Sequence, residues 1–279
     1  MHKDLNNETS MPLLSLLIPA YESSEGVLRI IKSIPLDIGK DLEVIVSDDS
    51  VSAKVKDCVE RWNSLSTFTV DYLSHKSTGN PVDNWNYMLE KASGKYVQFM
   101  HHDEWPHSEN YFDEVFEILK GPSLHDVVIL NCMLFASGKM RKLSSVKLKR
   151  CIIEKNCNLL LLRNVIGSPS NVIFRRGIAC EFDSALQWFV DVEFYIRLIS
   201  NSKTTFVTQS LFVASDLDTL ESISYSIKSK LDTIRRDESI YLFDTLNYIK
   251  PNKLSSLVLC LVHSLELCFY RIFRAGTYK

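Results

Sequence analysis

The 279-residue sequence lacks the short glycine-rich motifs that hold phosphate groups in many nucleotide-binding proteins. No GxxxxGK[ST] segment occurs, which excludes a P-loop, and no GxGxxG follows the first predicted strand, which excludes a dinucleotide-binding fingerprint. A GxSxG segment is also absent, which excludes the nucleophile elbow of the α/β-hydrolases. A phosphate-containing ligand would therefore have to be held by other local chemistry.

The sequence also lacks a large excess of charge of either sign. Its 32 Lys and Arg residues are balanced by 34 Asp and Glu residues, and the net charge is −2. General nucleic-acid binders need an excess of basic residues to neutralise phosphates, so we predict no nucleic-acid partner. With 46% hydrophobic and 24% charged residues, the composition is typical of a globular protein with a buried core.

Paired cysteines and an apolar N-terminal stretch are missing as well. The seven cysteines are irregularly spaced and form no CxxC pair, which favours reduced thiols over disulfides or a structural zinc site. Residues 1–10 are polar and do not resemble a secretion signal. We therefore expect a cytoplasmic location.

The segment most suggestive of a membrane lies near the C-terminus, at residues 254–273. Its apolar residues are interrupted by His263, Glu266 and Arg271, which would be costly inside a bilayer, so a spanning helix is not expected. We interpret the segment as an amphipathic helix. It either packs against the main domain or lies on a membrane surface, where the basic residues at its end would meet anionic headgroups.

Short apolar runs alternate with helical patterns in the first 120 residues. Strands are predicted at residues 13–18, 42–46, 69–73 and 95–100. Asn80 followed by Pro81 marks the start of one intervening helix, and Gly94 suits the position after its end. The alternation predicts an α/β fold with a mostly parallel sheet flanked by helices.

The second half of the chain is less regular. Ser108 is predicted to cap a helix, and Ser137-Gly138 indicates a hairpin turn. Further strands are predicted at residues 127–135, 171–174 and 205–213. Further helices are predicted at residues 191–199 and 221–248.

Polar residues follow three of the predicted strands at the point where each strand ends. Tyr21 comes shortly after the first strand, Asp48 and Asp49 end the second, and His101-His102-Asp103-Glu104 follow the fourth. Open α/β sheets bind ligands at the carboxyl ends of their strands. The sequence therefore predicts a site at this edge of the sheet.

The acidic residues at this edge each have a functional and a structural interpretation. Asp103 could ligate a divalent ion that binds a diphosphate, with His101 and Glu104 as further ligands or supports, or it could simply cap the following turn. Asp48 and Asp49 could accept hydrogen bonds from a nucleobase or a ribose, or they could form an Asx turn.

Tyr21 and Asp191 also have a functional and a structural interpretation. Tyr21 could stack on a base or fill the edge of the sheet. Asp191 could act as a general base, or it could be a helix-start carboxylate favoured by the helix dipole.

Four stretches of the sequence, taken together, resemble the inverting glycosyltransferases of family 2, which have a GT-A fold. The third of these stretches is the most specific, because its asparagines, alanine, glycine, tyrosine and acidic pair fall in the family's order. The resemblance covers about residues 12–215. Within the family, the sequence resembles bacterial O-antigen and capsular polysaccharide transferases. The stretches read LLSLLIPAYESSEGVLRIIKSI, LEVIVSDDS, GNPVDNWNYMLEKASGKYVQFMHHDEW and FDSALQWFVDVEFYIRL.

The resemblance implies roles for individual residues. Asp191 falls on the catalytic base, and Asp103, with His101, falls on a DxD motif that holds Mn²⁺ or Mg²⁺. His101 replaces the first aspartate of that motif, and a neutral histidine offsets less of the ion's charge. Contacts to the nucleotide-sugar fall on Pro19, Tyr21, Glu22, Asp48, Asp49, Asn86, His102 and Asp103. The acceptor side falls on Trp188, Ser168 and Ser170.

The implied activity is transfer of a sugar, with inversion, from a nucleoside-diphosphate donor to a lipid-linked glycan in surface polysaccharide synthesis. A catalytic domain would span residues 1–215, with a nucleotide-sugar half at about 12–105 and an acceptor half at about 106–215. A helical C-terminal region would span residues 216–279. The alternatives are a sugar nucleotidyltransferase, disfavoured because the first loop has no glycine-rich basic sequence, and a non-catalytic binding module.

Overall fold

The computed structural model describes residues 11–108, 110–218 and 230–246. The strands are β1 (Leu14–Ala20), β2 (Leu42–Asp48), β3 (Asp71–Ser74), β4 (Tyr96–Phe99), β5 (Glu104–Pro106), β6 (Val127–Ala136), β7 (Lys139–Lys142), β8 (Val172–Arg175) and β9 (Thr205–Asp216). The helices are α1 (Ser24–Lys32), α2 (Lys54–Leu65), α3 (Pro81–Lys91), α4 (Tyr111–Lys120), α5 (Val146–Lys155), α6 (Val190–Asn201) and α7 (Leu231–Leu246).

All nine strands belong to one sheet with the order β3-β2-β1-β4-β8-β6-β9-β5, and β7 pairs with the end of β6. Strands β3, β2, β1 and β4 are parallel, whereas β8 runs antiparallel to both β4 and β6. Apolar clusters pack helices α1, α2 and α4 on one face and α3, α5 and α6 on the other. The predicted α/β fold with a helix-flanked sheet is confirmed.

The first elements form where their sequence patterns place them. All seven residues of β1 are buried, as expected for an apolar run covered on both faces. In α1, the buried residues Val27, Ile30 and Ile31 recur at helical spacing. At the start of α3, the Asn80 side chain accepts a hydrogen bond from the Val82 amide at 3.1 Å. This confirms the predicted helix start.

Two predicted boundary residues are wrong. Ser108 does not cap α4, which begins at Tyr111 with Asn110 at the N-cap. Gly94 does not close α3, which ends at Lys91. Gly94 instead precedes β4, where its amide donates to Ser15 Oγ at 2.8 Å and where an added Cβ would collide with Ser15.

The region after β6 contains elements that the sequence did not reveal. The predicted hairpin turn is confirmed, since Ser137 and Gly138 both have positive φ angles. The strand β7 and the helix α5 that follow it were not predicted. Lys149 of α5 is fully buried, and its Nζ donates to the Leu130 carbonyl at 2.5 Å and contacts Asn131 Oδ1 at 3.3 Å. Burial lowers the pKa of Lys149 to about 8.

Helix α7 packs against the rest of the chain. Leu242 is 1% exposed and joins the main apolar cluster, and Tyr241 donates to Asp183 at 2.7 Å. Within the described part of the chain, no helix is both long and apolar enough to cross a membrane. The segment at 254–273 lies outside the described residues, and the domain boundary at residue 215 stays a prediction.

Candidate active site

The loops after β1 and β2 are joined by Glu22. Its carboxylate accepts hydrogen bonds from the amides of Val51 at 2.8 Å and Ser52 at 3.0 Å, and its own amide donates to Ser50 Oγ at 2.6 Å. The hydrogen bonds from Ser52 are the main reason why the pKa of Glu22 is lowered. Glu22 has φ of 52°, and in this structure its carboxylate shapes the loops. Its contact with a nucleotide stays a prediction.

Asp48 ends β2 in a buried position. Its carboxylate accepts the hydroxyl of Tyr72 at 2.9 Å and the amide of Ser50 at 3.0 Å, so the Asx turn considered above is present. Burial, followed by the hydrogen bond to Asp48, raises the pKa of Tyr72 to about 12. The pKa of the neighbouring Asp49 is raised because the carboxyl is half-buried, although His75 and His102 oppose the shift.

The remaining residues expected near the nucleotide differ in accessibility. Tyr21 is 44% exposed at the sheet edge and is free to stack on a flat ligand. Pro19 is buried within β1. Asn86 uses both ends of its amide on the backbone of Phe182, at 2.9 and 2.8 Å, and so ties α3 to the segment before α6.

His101, Asp103 and Glu104 form a cluster after β4. One ligand atom from each residue lies within 4.8 Å of the others, and His101 Nδ1 is 3.3 Å from Glu104 Oε2. His101 Nε2 is buried and has no hydrogen-bond partner among the residues that the structure describes. One imidazole and two carboxylates are a suitable donor set for Mn²⁺ or Mg²⁺, and the unpaired nitrogen fits a ligand role.

The charges of this cluster are strongly perturbed. Burial, with a contribution from Glu104, raises the pKa of Asp103, although His101 and His102 act in the opposite direction. Burial alone would lower the pKa of His101, but the hydrogen bond to Glu104 and the nearby carboxylates raise it overall. Such shifts are typical of functional sites.

Glu104 connects the cluster to the loop before β8. It is 2% exposed and accepts hydrogen bonds from the hydroxyls of Ser168 and Ser170. Burial would raise the pKa of Glu104, but the bonds from His101 and the two serines lower it overall. Ser170 is fully buried and also accepts the His101 amide at 3.1 Å, so it supports the cluster from inside. Acceptor contact by Ser168 stays a prediction.

Asp191 lies in the first turn of α6 and is partly accessible. No group within the described ranges donates a hydrogen bond to its carboxylate. Burial raises the pKa of Asp191 to about 7, with a further contribution from Glu104, whereas His101 lowers it. The helix dipole would favour the charged form, but burial outweighs it. A carboxylate with a pKa near 7 suits general-base catalysis.

The start of α6 is held by a residue that the sequence did not indicate. Glu238 of α7 is 7% exposed and accepts the amides of Gln187 at 2.6 Å, Trp188 at 3.1 Å and Phe189 at 2.9 Å. The ring of Trp188 lies 5.9 Å from the guanidinium of Arg235. Glu238 therefore fixes the turn that carries Asp191, from about 50 residues away in the sequence.

A second unpredicted support comes from α1. A Cβ on Gly26 would overlap the carbonyl oxygen of His102, so only glycine allows this close contact. Arg29 donates to the same carbonyl at 3.4 Å and lies 3.8 Å from the ring centre of Trp105. A glycine inside a helical pattern is the signal that could have indicated this contact. An adjoining cavity of about 400 Å³ is lined by Ser23, Glu25, Gly26, Arg29, His102, Asp103 and Asp216.

Residues 15–180 match the sequence family described as Glycosyl transferase family 2. The chain belongs to glycosyltransferase family 2.

Two relatives of this family 2 chain illustrate its range. Over 94 residues the chain is 34% identical to the GalNAc(5)-diNAcBac-PP-undecaprenol beta-1,3-glucosyltransferase of Campylobacter jejuni. The aligned region covers 34% of this chain and 30% of that enzyme. Over 228 residues the chain is 28% identical to an uncharacterised protein of Mycobacterium tuberculosis, covering 72% of this chain and 66% of that protein. The chain thus spans under a third of the Campylobacter enzyme.

Solved structures of other glycosyltransferases have the same fold as this family 2 chain. S. aureus TarS 1–349 in complex with UDP-GlcNAc has a TM-score of 0.57 at 18% identity, covering 76% of this chain and 60% of TarS 1–349. The mannosyltransferase PcManGT of Pyrobaculum calidifontis, in complex with GDP-Man and Mn²⁺, has a TM-score of 0.57 at 13% identity. The match covers 96% of this chain and 83% of PcManGT. These similarities confirm the predicted GT-A-type fold.

Proposed function

We propose that the chain is an inverting glycosyltransferase that moves a sugar from a nucleoside-diphosphate donor to a glycan acceptor. The observation that carries the proposal is the position of Asp191 beside the cluster of His101, Asp103 and Glu104. The influence of His101 and Glu104 on the pKa of Asp191 supports this proximity. A partly accessible carboxylate with a pKa of about 7 and a cation-binding cluster are the two chemical components that such a transfer needs.

The chain's own residues act on the donor and acceptor as follows. Tyr21 and Asp49 offer a flat ring and a half-buried carboxylate for the base and ribose of the donor. Asp191 accepts the proton of the acceptor hydroxyl while the hydroxyl oxygen forms its bond to the anomeric carbon. The bond from that carbon to the diphosphate oxygen breaks on the opposite face, so the anomeric configuration inverts.

His101 and Asp103, with Glu104 beside them, would hold Mn²⁺ or Mg²⁺. A bound divalent ion supplies positive charge that stabilises the departing diphosphate. The Mn²⁺ in the PcManGT complex supports this assignment for a protein of the same fold. Gly26 and Arg29 keep the turn that carries these ligands in place.

The acceptor that we propose is a lipid-linked oligosaccharide used for surface polysaccharide, such as O-antigen or capsule. The supporting observation is the similarity to the Campylobacter enzyme, whose name specifies an undecaprenol-diphosphate-linked substrate. Such an acceptor implies work at the cytoplasmic face of the membrane. Residues 254–273 would provide a peripheral contact there.

The test combines nucleotide binding with turnover. Calorimetric titration with UDP, GDP, CDP and dTDP, with and without Mn²⁺, should give metal-enhanced binding of one diphosphate. Asp191→Asn should keep that binding but reduce sugar transfer on the order of 10²–10⁴-fold, because the general base is lost.

Asp57→Asn is the matched control, since Asp57 is also in the first turn of a helix but lies on an exposed surface. It should retain full turnover. Near-normal turnover by folded Asp191→Asn would show that the base is another residue. Nucleotide binding without any turnover in the wild type would favour a non-catalytic module.

A further inference from the structure

Basic residues are concentrated in one segment of this otherwise balanced chain. Residues 139–155 contain seven Lys or Arg residues and a single acidic residue, Glu154, whereas the net charge of the whole chain is −2. We call the exposed basic residues of β7 the basic face. They are Lys139, Arg141 and Lys142.

The charges of the basic face are not neutralised by ion pairs. None of the salt bridges in the described part of the chain involves a residue between 139 and 155. Two acidic residues lie near the hairpin, and both are already engaged. Asp218 accepts the Ser137 amide at 2.7 Å, and Asp216 accepts the Asp218 amide at 3.0 Å. These bonds leave both negative charges in place, but the three basic residues of the face outnumber the two aspartates, so a local excess of positive charge remains.

The hairpin of β6 and β7 projects from the same edge of the sheet as the candidate active site. Phe135 near the end of β6 pairs with Asp216 at the end of β9. The Asp216 amide in turn donates to the Asp103 carbonyl at 3.1 Å. The end of β9 therefore lies between the β6–β7 hairpin and the turn that carries Asp103.

Exposed apolar side chains accompany the basic residues at this edge. Met140 pairs with Phe135 and is 53% exposed. Leu217 donates its amide to the Phe135 carbonyl at 2.9 Å and is 50% exposed. A mixture of exposed apolar and unpaired basic side chains is typical of surfaces that lie at the interface of an anionic membrane.

We propose that the basic face, with Met140 and Leu217, docks the chain onto an anionic phospholipid membrane. The charge complementarity selects acidic lipid headgroups, and the two apolar side chains reach the boundary of the acyl chains. Docking in this way directs the cation-binding edge of the sheet toward the bilayer. The proposal does not depend on the proposed function, because membrane binding is measured without donor or acceptor.

The test is co-sedimentation of the full chain with vesicles. One set contains phosphatidylglycerol and phosphatidylcholine, and the other contains phosphatidylcholine alone. The wild type should bind the first set only, and less at high salt. The variant Lys139→Glu/Lys142→Glu should bind about 30-fold more weakly, because each basic residue near the surface contributes about fivefold.

The matched control is Lys40→Glu/Lys91→Glu. Both lysines are exposed, and they precede β2 and end α3, at the opposite edge of the sheet. This control should bind as the wild type does, and residues 254–273 are present in every protein compared. Thermal unfolding checks that both variants are folded.

Three results would overturn the proposal. They are equal binding to phosphatidylcholine alone, equal losses in both double variants, and unchanged binding of Lys139→Glu/Lys142→Glu. Preferential binding of single-stranded RNA over acidic vesicles would also overturn it and would assign the face to nucleic acid.

Discussion

The two halves of the sheet hold their polar residues in different ways. On the β2–β1 side, Asp48 binds the amide two residues ahead, and Glu22 binds the neighbouring loop at residues 50–52. On the β8–β6 side, Glu104 binds serines more than 60 residues away, and Glu238 binds amides about 50 residues away. The β2–β1 side is thus held by contacts between loops within about 30 residues of each other, whereas the β8–β6 side depends on contacts across about 50 residues or more.

The largest expected effect comes from removing Glu104, which holds the contacts between distant elements of the chain. Glu104→Ala leaves two serine hydroxyls and His101 without their buried partner, so the free energy of unfolding should fall by about 3–5 kcal/mol. Urea unfolding without added divalent ions measures it. The same change at the exposed Glu154 should cost within about 0.5 kcal/mol. Similar losses in both variants would contradict the central role of Glu104.

A direct comparison of the two halves uses one substitution at two places. Glu238→Gln replaces a buried carboxylate that accepts three amides, so we expect a loss of about 2 kcal/mol in the free energy of unfolding. It should also lower kcat more than it changes nucleotide affinity, because the turn of Asp191 loosens. Glu22→Gln should change stability less but weaken nucleotide binding. Identical profiles for the two variants would remove the distinction between the halves.

The last expected effect has the opposite sign, because it is a gain of stability at Asp191. The pKa of this residue is raised from 3.8 to about 7, so the folded chain binds more protons than the unfolded chain between these values. Wild-type stability therefore falls as the pH rises through that window. Asp191→Asn lacks this penalty, and it should be more stable than the wild type by up to about 4 kcal/mol above pH 7 and nearly equal to it at pH 4.

Thermal unfolding of both proteins across this pH range measures the difference. A constant difference between the two proteins at all pH values would show that Asp191 does not titrate in the window. Asp57→Asn again serves as the control and should follow the wild type.

The same contrast explains what the sequence could predict. The strand β1, the start of α3 and the turn at Ser137-Gly138 depend on neighbouring residues, and their patterns identified them. The resemblance also pointed to Asp103 and Asp191, and His101 and Glu104 on either side of Asp103 influence the pKa of Asp191. Their support was not visible, because Glu238 and Ser170 act through contacts across the fold.

Helix α5 shows a further limit. Lys149 carries a charge that periodicity assigns to solvent, yet backbone and amide oxygens of β6 hold it in the interior. A single sequence contains no pattern for such a pair. Similarly, only the strand order of the sheet reveals that β7 lies close to the candidate active site.

Gly26 has a consequence for how this sequence can drift over evolutionary time. A single methyl group there would occupy the space of the His102 carbonyl. Because that carbonyl belongs to the backbone, no change of side chain at residue 102 can make room, and residue 26 has to stay glycine. The adjacent Glu25 is exposed and free to vary. In natural variants of the chain, residue 26 should therefore always be glycine, whereas residue 25 should vary. The space available at residue 26, and not charge, sets this difference.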